Sequence, residues 1–294
     1  MLDYKLLDAL DRVIAEGGFD KAARKLNLTQ SAVSQRIRLL EDQVGHLLVT
    51  RTLPPRPTPQ GKALLKHFIQ VKSLEADLET ELKADRDEPR RTLALGVNAD
   101  SLATWFLPAV HPFLDAHPVL LDLKVDDQDQ THQLLRDGEV TGCISSTGKP
   151  VQGCRTTFVG TMHYDLVATP AFRDRHFSKG FTPETLADAP AVVYNRKDDL
   201  HRRYLAFLWP DGALPDYPIH YLPSSESFAD MVIRGLAFGM VPRLQAAPHL
   251  ETGALVNLDP APGLGVDLYW HRWALSSPVL DELSRAIVEN AVIC

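Results

Sequence analysis

Cysteine is scarce: Cys143, Cys154 and Cys294 are the three in 294 residues, odd in number and without a Cys-x-x-Cys pair. That spacing argues against a disulfide-stapled scaffold or a cysteine-built zinc site and leaves packed or incidental free thiols. Long apolar runs are missing too. None approaches the roughly 18 residues of a membrane span. The opening MLDYKLLDAL has no basic segment followed by an apolar stretch, so a chain that stays in the cytoplasm, away from membranes, is expected. No Gly-x-Ser-x-Gly elbow, Gly-rich phosphate loop or His-Glu-x-x-His occurs. The 11 histidines lack tight spacing, and His163 and His271 stand alone among apolar neighbours, as packed imidazoles do. Catalysis, a metal and a cofactor are therefore not expected. Internal repeats and low-complexity tracts are also absent.

What is present is the material of two or three soluble units, 45% apolar and 23% charged. Its charge is divided. Residues 1–62 hold ten Lys/Arg against seven Asp/Glu, net +3, and the remainder 21 against 31, net −10, together the overall −7. A mildly basic head precedes an acidic body, the sense of asymmetry that favours a polyanionic partner for the head.

Residues 19–41, FDKAARKLNLTQSAVSQRIRLLE, read as a helix, a tight turn and a second helix. In the second, Val33, Ile37, Leu40 and Val44 recur at helical spacing and form the inward stripe. Thr29 is placed as its N-cap. Ser31, Ser34, Gln35 and Arg38 point outward, carrying groups that pair with base edges or phosphates. Residues 2–14 supply a preceding helix, ended by Gly17 and Gly18. After the pair, HLLVTRTLPPRPT predicts a short apolar strand and a proline-stiffened wing bearing Arg51 and Arg56. The set reads as a winged helix-turn-helix over 1–58 that binds double-stranded DNA.

Thr58-Pro59 is a helix start. Leu64, Phe68, Val71, Leu74, Leu78 and Leu82 then advance by threes and fours, a seam for packing against another helix. A linker helix over 59–88 is expected, roughly 40 Å long at 1.5 Å per residue, and suited to a homodimer. From Thr92 strands and helices alternate. TLALGVN, VLLDLKV and VTGCISS are strands around ADSLATWFLPAVHPFLDA and QTHQLLRDG helices. A second set holds DLVATP, AVVYN, HRRYLAFL, IHYL, SESFADMVIRG and GMVP, and the chain closes on VDLYWHRWAL and VLDELSRAIVENAVI. That alternation is an α/β body.

Head, rod and body in this order resemble the LysR-type transcriptional regulators over the full length, most specifically in LTQSAVSQRIRLLEDQVGHLLVTR and PTPQGKALL. VNADSLATWFLPA, RTLPPRPT, SSESF and LYWHRWA resemble the subgroup that regulates arginine and lysine export. The resemblance implies an α+β multidomain chain: a winged head, a linker helix and a C-terminal two-lobed α/β effector domain folded like a periplasmic binding protein. Its first lobe would comprise 89–161 and 265–294 and its second 162–264, joined by two crossover strands. It also implies a homotetramer and allows RNA polymerase as a partner. Gln30, Ser31, Ser34 and Arg36 match the family's base and phosphate contacts, and Arg51 the wing arginine. This chain has Ser31 where many members have proline and Gln35 where many have arginine, so its base preferences are its own. The helical wheel puts Arg36 on the apolar flank, within reach of phosphate, and Gln30, Ser34 and Gln35 at base edges.

A small-molecule effector, lysine or arginine, is expected in the crevice at strand C-terminal ends. The first such end, VNADSL, offers Asn98, Asp100 and Ser101, the last beside free helix N–H groups suited to a carboxylate. Ser224 and Ser225 open a helix in the second half. A buried cation demands carboxylates. Asp100, Asp126 and Asp127 lie at strand ends, and Asp198, Asp199 and Glu226 at turns. Asn98, Asp100, Ser101, Asp126, Ser145, Asp199, Ser225 and Glu226 are the candidate effector contacts. Asp100, Ser101 and Ser225 could equally cap helices, and DDQDQ a solvated run. The rivals to a ligand-responsive regulator of this kind are a LysR-type regulator of another pathway, an enzyme fused to a DNA-binding head, and an architectural DNA-binding protein.

Overall fold

The computed structural model describes residues 2–82, 91–126, 128–210, 214–261 and 263–293. The head comprises α1 (Tyr4–Ala15), α2 (Phe19–Lys25) and α3 (Gln30–Val44). Leu6, Leu7, Leu10 and Val13 of α1, Ala22 and Ala23 of α2, and Val33, Ile37 and Leu40 of α3 close one core. Each fully buried leucine or valine contributes about 1.5–3 kcal/mol, enough for three amphipathic helices to hold one another.

Helix α4 (Pro59–Leu82) is rooted in that core through Leu65 and Phe68. Thr58 starts it. Its hydroxyl accepts from Gly61 N at 3.1 Å and donates to the Leu47 carbonyl at 2.7 Å. The 24 described residues make a rod of roughly 36 Å. Residues 83–88, expected to extend it, lie outside the described residues. Leu74, Leu78 and Leu82 on its second half stand open to solvent.

The body runs β1 (Arg91–Asn98), α5 (Ala99–Ser101), a π turn at Leu102–Phe106, α6 (Leu107–Ala116), β2 (Val119–Asp126), α7 (Gln128–Asp137) and β3 (Gly142–Ser145). Next come β4 (Cys154–Ala168), α8 (Pro170–His176), α9 (Pro183–Leu186), β5 (Ala191–Val193), α10 (Leu200–Leu208), β6 (Ile219–Tyr221), α11 (Ser225–Ile233), β7 (Gly239–Pro242), α12 (Arg243–Glu251) and β8 (Val256–Asn257). β9 (Leu264–Trp273) and α13 (Pro278–Asn290) finish it. The main sheet has the order β2-β1-β3-β9-β4-β7, with β8 on β4. β1, β2 and β3 are parallel, and β9 is antiparallel to both β3 and β4. β5 and β6 pair in parallel and join the β7 edge through the Ala191–Phe238 bridge.

Two lobes result, and β4 and β9 belong to both. β4 pairs with β9 from Cys154 to Tyr164 and with β7 from Tyr164 to Val167, so its partners change at Tyr164. The sequence marks the second set at DLVATP, whereas the strand begins at Cys154. Its first half is hidden in the sequence because no residue from Cys154 to Thr161 is fully buried, Arg155, Thr157 and Phe158 being exposed, and a register shift between Phe158 and Gly160 breaks the alternation. α12 also escapes the pattern, since only Ala246 of RLQAAPHLE is buried. The helix expected over residues 99–116 forms, but with the widened turn at Leu102–Phe106. Pro108, two residues past that turn, has no N–H for the Thr104 carbonyl, which favours the longer-spaced bonding there.

α4 lies along the first lobe. Lys62 pairs with Asp137, and Lys66 Nζ donates to the Arg136 carbonyl at 3.4 Å. Gly138, with φ +79°, faces Lys66, and a Cβ there would come within 2.6 Å of the lysine Cβ. Arg91 at the start of β1 bonds Ser73 Oγ at 2.6 Å and pairs with Asp77. Cys143 is buried in the sheet, which pushes its thiol up to about 12, an unreactive group. Cys154 is half-buried and Cys294 lies outside the described residues. Among the described residues no helix is long and apolar enough to cross a membrane.

At the second crossover, a Cβ on Gly263 would lie 2.1 Å from the Tyr164 carbonyl oxygen. Gly263→Ala should therefore force the crossover strands apart, lowering unfolding free energy by about 1–3 kcal/mol in a denaturant titration. A variant as stable as the parent would show that the close approach is not needed.

Candidate functional site

The outward face of α3 is built by its cap and its stripe. Thr29 Oγ1 accepts from Ala32 N at 3.2 Å and lies 3.0 Å from Ser31 Oγ, which fixes the helix start. With Val33, Ile37 and Leu40 buried, Gln30, Ser31, Gln35 and Arg38 are exposed, while Ser34 and Arg36 are half-buried on the flanks. The wing is attached to this helix by Glu41 Oε1, which accepts from Leu48 N at 2.8 Å. Arg51 and Arg56 are exposed on it. In place of the short strand expected there, the wing has a single bridge, Val49 to Pro57, and a Thr50 N to Arg56 O bond of 2.8 Å. Pro54, Pro55, Pro57 and Pro59 have no N–H to extend the ladder.

The second constellation lies between the lobes. Asp100, two residues past the end of β1, is held from two sides. Tyr164, where β4 changes partners, donates its hydroxyl to Oδ2 at 2.8 Å, and Ser225 of the second lobe donates to Oδ1 at 2.6 Å. The cap of α11 is Ser224, whose Oγ accepts from Ser227 N, and Ser225 is thereby left for Asp100. Burial raises the Asp100 pKa above the usual carboxylate range. The two hydroxyls pull it back, and the charges of Asp198 and Glu226 push it further up.

These groups face a cavity of about 30 Å³ walled by Asp100, Tyr164, Asp198, His201, Ser225 and apolar side chains including Phe228 and Met240. That is room for about one water. Asp198 is oriented by its own turn, accepting from Tyr194 N at 3.2 Å and Leu200 N at 3.0 Å. His201 is buried, which draws its pKa down to about 4 and keeps it neutral, with Nδ1 3.4 Å from the Tyr217 hydroxyl. Beside the changeover, Arg243 grips Asp165 with two bonds of 2.9 and 2.6 Å.

Of the expected contacts, the structure brings Asp100 and Ser225 together in the cavity wall. Glu226 is exposed next to them, its carboxylate accepting from Ser224 Oγ at 3.3 Å. Asn98, Ser101 and Ser145 are buried at the adjoining strand ends, outside the wall. Ser145 Oγ accepts from Thr147 N, while the Asn98 amide and Ser101 hydroxyl have no partner among the described residues. Asp126 is the last residue of β2, in register with Asn98, and its side chain, like all of Asp127, lies outside the described residues. Asp199, also expected as a contact, lies outside the wall. It is exposed, 3.9 Å from Arg203 on the outside of α10, because the turn directs Asp198 inward in its place. Tyr164 and His201 were not foreseen: Tyr164 is delivered to the cavity by the strand crossing, and His201 by the packing of α10, neither of which is a local motif. Among the described residues no group of three or more His, Cys, Asp or Glu could hold a metal ion.

Comparison with known proteins bears on both constellations. Residues 4–62 match the bacterial regulatory helix-turn-helix protein, lysR family, and residues 86–292 the LysR substrate binding domain. The HTH-type transcriptional regulator ArgP of Aeromonas salmonicida is 44% identical over 292 residues, 98% of this chain and 96% of that one. Among solved structures, ArgP from Mycobacterium tuberculosis is 38% identical with a TM-score of 0.87, over 99% of this chain and 98% of the other. Full-length LysG from Corynebacterium glutamicum with bound effector Arg is 35% identical with a TM-score of 0.79, over 99% and 98%. The chain belongs to the LysR family of DNA-binding transcriptional regulators, within its ArgP and LysG subgroup.

Proposed function

We propose that this regulator reads operator DNA in the cytoplasm with α3 and the wing, and that arginine or lysine held between the lobes governs that reading. The observation that carries the effector half is Asp100, a half-buried residue whose carboxylate is desolvated at the meeting of both lobes, with two further carboxylates close by. Three acids around one cleft repel each other until a cation arrives. At about 4 Å and an effective dielectric of 20, a guanidinium or ammonium gains roughly 4 kcal/mol from a sheltered carboxylate such as Asp100, and much less from the solvent-screened Glu226. The LysG relative, solved with bound Arg, supports the assignment.

The cavity of about 30 Å³ is too small for an amino acid. An effector must part the lobes and replace the Asp100–Ser225 bond with its own contacts, and so it favours one lobe arrangement over another by its differential affinity. Gln30, Ser31, Ser34 and Gln35 supply the base-edge contacts, and Arg36, Arg38, Arg51 and Arg56 the phosphate contacts. A homodimer forms through α4. Leu74, Leu78 and Leu82 are exposed at four-residue spacing, an apolar stripe that a second copy would cover. Two heads then address two half-sites.

Gln35→Ala should relax base preference at the position it reads by about 1–3 kcal/mol. Arg51→Ala should weaken all duplexes alike with a shallower salt slope, and equal behaviour of the two variants in a competitive selection would refute this division. Asp100→Ala should lower arginine affinity by about 100-fold in calorimetry, the loss expected for one partner of a buried ion pair, with operator binding by the unliganded protein retained. An undiminished arginine isotherm would exclude Asp100, and binding of a different metabolite alone would favour the other-pathway reading.

The pH dependence has two opposite signs. A carboxyl whose folded pKa lies above its unfolded value loses stability as pH rises through that interval, so ionising Asp100 should weaken the ligand-free fold. Arginine prefers the ionised form, and its affinity should fall as pH drops through the raised pKa, as calorimetry across acidic to neutral pH would record. Leu78→Glu should shift sedimentation toward monomer. A dimer as strong as the parent's would remove α4 as the interface.

A further inference from the structure

The wing ends on a leucine that nothing among the described residues covers. Leu53 is 97% exposed, more than any other large apolar side chain among the described residues. The arm that carries it is rigidly bonded. Thr50 and Arg56 are joined by N–H to carbonyl and N–H to hydroxyl bonds of 2.8 and 3.1 Å. Thr52 Oγ1 donates to the Pro54 carbonyl at 2.9 Å and lies 2.9 Å from Thr50 Oγ1. Pro55 is buried, and Pro54 packs beside Gly17 in the turn between α1 and α2. Through Glu41 and Leu48 the arm also keeps a fixed place beside α3.

An ordered arm that holds a leucine in water gains nothing from it within the chain. The residues around it define what would. Arg51 and Arg56 flank the tip, both exposed, so the complementary surface is anionic on either side with an apolar floor between. A DNA minor groove has that form: two rows of phosphates with sugar faces and stacked base edges between them.

We propose that Leu53 is an apolar wedge that enters the minor groove beside the bases read by α3, with Arg51 and Arg56 on the bordering phosphates. The inference rests on the reading that the wing meets DNA. Leu53 adds affinity without charge. It also adds preference for a flexible pyrimidine–purine step at the insertion point, where base pairs unstack at least cost.

The test uses full-length protein and a duplex recovered by the parent from a randomised pool, with binding measured by anisotropy at several salt concentrations. Leu53→Ala should bind about tenfold more weakly with the salt slope unchanged, because no phosphate contact is lost. Arg51→Ala should weaken binding and reduce the slope by about 0.9. Leu53→Met should restore most of the affinity. Replacing the flanking flexible step by an A-tract should weaken the parent but not Leu53→Ala. The wedge is overturned if Leu53→Ala matches the parent while Arg51→Ala is weak, or if its loss accompanies a change in sedimentation, which would make Leu53 a protein contact. An Arg51→Ala protein with parental affinity and slope would instead remove the wing from the DNA, and the wedge with it.

Discussion

The antiparallel ladder between β4 and β9 is the constraint on which the effector domain depends. Cys154 to Tyr164 pair with Trp273 to Leu264, and the two strands are the crossover links that complete both lobes. A slip of one residue would exchange the buried and exposed faces of both strands at once, so the register is fixed by the two cores together. Leu268 and Trp270 of β9 and Met162 and Tyr164 of β4 belong to one buried cluster that continues from Leu93 and Leu95 in one lobe to Phe238 and Tyr204 in the other. The Asp165–Arg243 pair ties the second lobe to the same strand one residue beyond the changeover.

Asp100 owes its surroundings to that geometry. A carboxylate buried alone costs several kcal/mol. Here it is retained by a hydroxyl from the ladder and a hydroxyl from the opposite lobe, with the charges of Asp198 and Glu226 opposing its ionisation. Its neighbour His201 stays neutral and adds no competing charge.

What the sequence discloses follows from the range of the interactions involved. The α3 stripe, the Thr29 and Thr58 caps and the strand and helix order arise within a few residues, and they are legible as periods and capping residues. Asp100 and Ser225 are legible as residues at a strand end and a helix start, the places where α/β crevices form. Tyr164 is not, because its role comes from the point at which a long strand changes partners. The choice between Asp198 and Asp199 is decided by the Tyr194 and Leu200 amides that hold one carboxylate inward, a detail below the resolution of composition or period. The wing strand is overestimated for the opposite reason: its apolar run is clear, but the prolines that follow remove the donors.

Gly138 settles how closely the rod can approach the first lobe. With no side chain there, α4 seats directly on the end of α7, secured by Lys62 to Asp137 and, further along, by Asp77 to Arg91. The reading head, the rod and the first lobe are thus joined by direct contacts, and a side chain at position 138 would have to lift the rod off the lobe before either could keep its place.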